Sequence, residues 1–180
     1  VIILVAIAFA TGIIGPGLSQ PGYTRYHDPY NVYSLDVPES WEVEEGYNFE
    51  VYSTYFYDPA WVNEERGVMI IGAPLQGAGL LFGADVLTPE DLLRFLVLSG
   101  ELSGLEDALP DTDLRSLTLG GHPAASLETT INDGSLSIHA QIVCVLSDDK
   151  FVLFIAGFPQ EDWGANQSII DHMLDSLRLE

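Results

Sequence analysis

The stretch from Ser116 to Glu180 restricts the fold more than any other part of the chain. Ala125, Leu127, Thr129 and Ile131 alternate with Ser126, Glu128 and Thr130, the two-residue period of a strand lying on a core. Asn132-Asp133-Gly134-Ser135 follows, and Asn, Asp and Gly tolerate the positive φ that a tight hairpin needs. Alternation resumes at Leu136, Ile138, Ala140, Ile142, Cys144 and Leu146, which predicts one inward row, and Ser147-Asp148-Asp149-Lys150 turns the chain again. Phe151 to Phe158 (FVLFIAGF) is apolar on both faces, as a central strand covered from two sides must be. A closing helix is expected to begin between Glu161 and Asn166. It turns Ile169, Ile170, Met173, Leu174 and Leu177 inward and Asp171 and Asp175 outward. Successive antiparallel strands with few helices follow α+β logic, not βαβ alternation.

Upstream, Asp28-Pro29 is turn chemistry ahead of a strand whose Tyr33, Leu35 and Val37 face one way and Val32, Ser34 and Asp36 the other. Pro38 stops it. Phe49 to Phe56 (FEVYSTYF) reads as a second strand, Asp58 to Gly67 as a polar loop, and Val68 to Ala73 as a third strand. Thr88-Pro89-Glu90-Asp91 opens a helix: Thr88 caps free amides, Pro89 suits the first helical position, and two acids complement the dipole. Its apolar face runs through Leu92, Leu93, Leu96 and Val97 to about Leu102, ahead of an acidic loop from Gly104 to Asp113.

The start of the chain is of another kind. Val1 to Ile14 (VIILVAIAFATGII) carries no charge and is shorter than the roughly 20 residues of a membrane-crossing helix. It reads as the apolar core of an export signal or as part of a membrane anchor, against a buried element of the domain. Gly15-Pro16-Gly17 ends the run, and residues 15–25 read as a linker. Residues 26–180 then form a single domain, of a length that holds one sizeable core. Either reading of residues 1–14 puts that domain outside the cytoplasm, membrane-anchored or secreted.

With these residues in hand, the chain resembles the PsbP-like family. The matching features are "SLDVPESW" (Ser34 to Trp41), "LGGHPA" (Leu119 to Ala124), the long meander and the terminal "MLDSLRL" (Met173 to Leu179). The family takes its name from an extrinsic subunit of the photosystem II oxygen-evolving complex. Its fold also serves a Ran-binding import factor and bacterial envelope lipoproteins. The resemblance covers roughly residues 26–179. It implies an α+β fold, an antiparallel β-sheet flanked by helices, and mostly non-enzymatic accessory or binding roles. The basic and histidine residues of the photosystem members have no secure counterparts here, so no photosynthetic role is implied.

Charge excludes one class of partner. The chain has 27 Asp and Glu against 6 Lys and Arg, a net charge of −21, with Lys150 the only lysine. Without cations to displace counterions, nucleic acid is not a partner. The acidity fits adaptation to high salt, diffuse binding of divalent cations, or a plainly solvated surface. Asp111-Thr112-Asp113 opens like a calcium loop but lacks the third acid, the glycine and the distant Glu, so weak cation binding is the most it offers. His27, His122, His139 and His172 form no metal-ligand spacing, and the single Cys144 reads as a buried thiol. No metal and no cofactor are expected. Gly77 to Gly83 imitates a dinucleotide fingerprint one residue too long, behind Pro74.

No GxSxG elbow is present, and no catalytic residue stands out. The expected function is therefore a non-catalytic accessory or binding domain, docking a protein partner at a membrane reached through the N-terminal segment. A hydrolase assembled from scattered Asp, His and Ser residues is one alternative. A small-ligand or lipid carrier is the other. The partner-binding candidates are Leu80, Leu81 and Phe82 in the Gly-rich segment Pro74 to Asp85, joined by Trp61. Trp41, Trp163 and the tyrosines between Tyr47 and Tyr57 are expected to be lids on the core rather than ligand contacts.

Overall fold

The computed structural model of the protein describes residues 22–48, 51–61, 66–75, 88–98, 114–133 and 136–180. In chain order these contain β1 (Tyr23–His27), β2 (Tyr33–Pro38), β3 (Glu42–Asn48) and β4 (Val51–Tyr57). A 3-10 turn (Pro59–Trp61), β5 (Gly67–Pro74), α1 (Pro89–Leu98) and β6 (Arg115–Leu119) come next. The last elements are β7 (His122–Asp133), β8 (Leu136–Leu146), β9 (Lys150–Pro159), α2 (Gln160–Ser176) and β10 (Arg178–Leu179). Residues 1–14, most of the linker, Leu80 to Phe82 and the acidic loop Gly104 to Asp113 lie outside the described residues.

Among the described residues, seven strands form one sheet in the order β3-β4-β5-β9-β8-β7-β6, and three form a small sheet, β1-β2-β10. Every neighbouring pair is antiparallel. The fold is thus α+β, an antiparallel sheet with helices on its faces. β9 sits inside the large sheet, and its composition explains why. Val152, Phe154, Ala156 and Phe158 enter one core, Phe151, Leu153 and Ile155 the other. The first core lies under α2, β2 and Trp41, and the second under α1, which packs on β7 and β8. Removing large apolar side chains of this kind from water contributes about 2 kcal/mol or more each.

Expectations at several elements need correction. The row from Ile138 to Leu146 is inward, yet Val143 and Val145 between its members are buried as well, in the opposite core. β8 is a two-sided strand over that half because α2 covers the face that alternation assigned to solvent. Residues read as linker up to 25 include the start of β1, which pairs with β2 from Tyr23↔Pro38 to His27↔Ser34. "LGGHPA" holds both a hairpin turn and the start of β7: Leu119 faces His122 across Gly120 and Gly121, at φ 57 and 90, the geometry of a two-residue primed turn. The closing helix begins at Gln160, one residue before the expected range, because β9 runs straight into it.

Candidate functional site

Trp61 is the one partner-binding candidate among the described residues. Asp58 builds its 3-10 turn: its carbonyl accepts from the Trp61 amide at 2.9 Å and its carboxylate from the Ala60 amide at 2.9 Å. The indole is half-buried, edge-on to Trp41 and to Phe158 at 5.6 Å each. Arg66 lies over its ring at 5.1 Å and pairs with Asp162 in the first turn of α2. This is a charged clasp over the first core, with the indole partly exposed. His139 is tucked against Trp163 at 4.1 Å, with Nε2 2.8 Å from the Glu128 carboxylate. Among the described residues no three His, Cys, Asp or Glu side chains gather as a metal-ligand set. No helix among them is long and apolar enough to cross a membrane.

A second locus was not singled out by sequence reasoning. β3 reads EVEEGYN, and its residues Glu42 to Tyr47 are all exposed. Its register on β4 runs from Glu42↔Tyr57 to Tyr47↔Tyr52 and Asn48↔Val51. Strand alternation therefore puts Val43, Glu45 and Tyr47 on the first-core side with Tyr52, Thr54 and Phe56, and Glu42 and Glu44 on the other with Tyr55 and Tyr57. Tyr30 joins the first group. Asp28 holds that turn by accepting from the Tyr30 and Val32 amides at 3.0 and 3.1 Å, with Asn31 at φ 60. Tyr30 then stacks on Tyr52 at 3.8 Å and on Tyr47 at 5.2 Å, and Tyr47 on Tyr52 at 4.9 Å.

The carboxylates of this hairpin are fixed by phenols. Tyr26 donates to Glu45 at 2.7 Å, and the single Tyr57 hydroxyl proton is shared between Glu42 and Glu44, each 3.1 Å away. Glu42, with Glu44 beside it, pushes the Tyr57 phenol up to about 12. Burial first, and Glu45 second, hold Tyr26 well above the ordinary tyrosine range. Both phenols therefore stay protonated donors that orient the carboxylates. Tyr30, Val43 and Tyr47, at 48%, 40% and 56% exposure, are the exposed large hydrophobics among the described residues. Tyr30 and Tyr47 stack here, and Val43 lies on the same face of β3. The expectation that the Tyr47 to Tyr57 aromatics are core lids fails for Tyr47, which stacks with Tyr30 and Tyr52 on the edge strand β3 and stays exposed.

Comparison with known proteins gives a consistent picture. The PsbP family model matches residues 21–179. No curated protein matches the chain. Cyanobacterial PsbP (CyanoP) from Synechocystis sp. PCC 6803 is similar in structure, with a TM-score of 0.61 at 18% identity over 94% of this chain and 98% of that one. A Bacteroides thetaiotaomicron VPI-5482 protein aligns with a TM-score of 0.55 at 12% identity, over 87% of this chain and 48% of that one. LpqN of Mycobacterium tuberculosis, described as involved in cell envelope biogenesis, aligns at 0.53 and 15% identity over 89% of this chain and 92% of that one.

Proposed function

The chain belongs to the PsbP family, and from that premise we propose that it is a non-catalytic accessory domain that docks a protein partner on the outer side of a membrane. One observation carries the reading. The exposed large hydrophobics Tyr30 and Tyr47 stack on each other beside a phenol-bonded carboxylate, and exposed Val43 lies on the same face of β3. Tyrosine is well suited to such a surface, being large, rigid and amphipathic. The apolar run of residues 1–14 supports export or tethering, and residues 15–22 would then link it to β1.

Leu80, Leu81 and Phe82 are retained as further docking residues on sequence grounds, and the partly exposed Trp61 as another. Site-specific photocrosslinking tests the proposal. A benzophenone side chain is placed at position 47 of the full chain in its native membrane. A protein adduct of defined mass is expected, along with degradation of the domain by protease added outside intact spheroplasts. Protection from that protease, or turnover of ester, phosphoester or glycoside substrates by the full chain, overturns it.

A further inference from the structure

β3 ends the seven-stranded sheet, and among the described residues no strand pairs with its outer edge. Its seven residues present the unused backbone donors and acceptors of an edge strand. Charged residues on an edge commonly discourage pairing, but these glutamates are bonded to Tyr26 and Tyr57 of their own domain. Those bonds hold the carboxylates along the two sheet faces, where a neighbouring strand would project its side chains. We propose that β3 receives an extended basic segment of the partner protein as an eighth, antiparallel or parallel strand; this rests on the docking function above.

The side-chain rows define the segment. Next to Glu42 and Glu44 the incoming strand needs Lys or Arg on alternate positions. On the opposite face it meets Val43, Glu45 and Tyr47, with Tyr30 stacked beyond. An apolar or aromatic residue fits there, or an Arg whose guanidinium lies on the tyrosine face. Main-chain pairing supplies affinity and the alternating side chains supply selection. A second copy of this chain is a poor occupant, since it would bring glutamate rows together in a protein of net charge −21.

The test uses the full chain and a synthetic peptide that matches the length of β3, alternating Lys with Val. A second peptide has the same charge but N-methyl groups on alternate amides, which removes strand pairing and leaves charge attraction. The Lys-Val peptide is expected to slow hydrogen exchange at β3 amides and to bind about tenfold tighter than its N-methylated twin. Glu42→Gln/Glu44→Gln/Glu45→Gln keeps acceptors for the phenols and should weaken binding about tenfold, with a shallower salt dependence. Tyr47→Lys, a single exposed change, should do the same. Equal binding of the N-methylated peptide, protection mapped to another part of the chain, or no peptide binding overturns the inference. A position-47 adduct alongside any of those results leaves the docking function standing and removes only strand addition.

Discussion

Gly67 lies so close to β4 that a Cβ there would stand 2.4 Å from the Phe56 carbonyl oxygen and 3.2 Å from the Tyr55 ring. That oxygen is backbone and cannot step aside. Gly67→Ala is therefore expected to destabilise the domain by about 2 kcal/mol, read as a lower urea midpoint. Gly164, inside α2 with nothing within 4 Å of its added Cβ, is the opposite case. Gly164→Ala should raise the midpoint, by about 0.5–1 kcal/mol, through helix propensity alone. A sequence cannot separate two such glycines, because the difference lies in what packs beside them. Asp28 shows a similar gap between sequence and structure. As part of an Asp-Pro pair it reads as an exposed turn former, yet it is buried and holds the Tyr30 turn. Burial, as the main cause, holds its pKa above the ordinary value, so the folded protein retains a proton more tightly than the unfolded chain does. Its stabilising contribution is present below the unfolded pKa of about 4 and is lost as pH rises through the folded pKa. Asp28→Asn keeps an acceptor for both amides and removes that loss. Urea midpoints measured in steps upward from about pH 4 should diverge in favour of the variant. Parallel curves would show that Asp28 is not the titrating group.

Where an element announced itself, local chemistry was the reason. α1 begins where Thr88-Pro89-Glu90-Asp91 said it would, and the Thr88 hydroxyl accepts from the Asp91 amide at 3.1 Å while donating to its carboxylate at 2.8 Å. Thr88→Ala should cost about 1 kcal/mol, with faster hydrogen exchange confined to the first turn of α1. Loss spread over β7 and β8 would mean that the helix docks only when capped. α2 has no side-chain cap; Pro159 ends β9 and Gln160 starts the helix. Its onset was legible only within a few residues for that reason. β3 was not legible at all. Three glutamates and a glycine among seven residues have poor strand propensity, and the strand exists because β4 pairs along its full length and phenols hold its carboxylates. The candidate site inherits that difficulty. Tyr30, Tyr47 and Tyr52 come together through the Asp28 turn and the β3–β4 register, neither of which leaves a periodic trace.

At the scale of the whole molecule, the order of strands and the closing helix could be read because β7, β8 and β9 are consecutive neighbours with turn residues between them. The crossing from β5 to β9, and the laying of β2 and β10 over the first core, depend on contacts far apart in sequence and carried no local signal. Net charge is also a property of the whole. With 27 acidic and 6 basic residues, few carboxylates can find a cation, although Arg25–Asp36 at 3.1 Å and Arg66–Asp162 use two of those cations. The remaining repulsion is relieved on unfolding, when charges move apart, so it subtracts from stability at low ionic strength. Salt should reverse it. Raising KCl from about 0.05 to 1 M shortens the screening length to about 3 Å, and the urea midpoint is expected to climb and then level off. Chloride is the anion of choice, because sulfate would strengthen apolar burial in any protein. A flat profile would mean that the carboxylates lie far enough apart in the folded protein for their repulsion to cost little. The acidity would then serve recognition of a basic partner more than tolerance of salt, and β3 would be the first place to look for it.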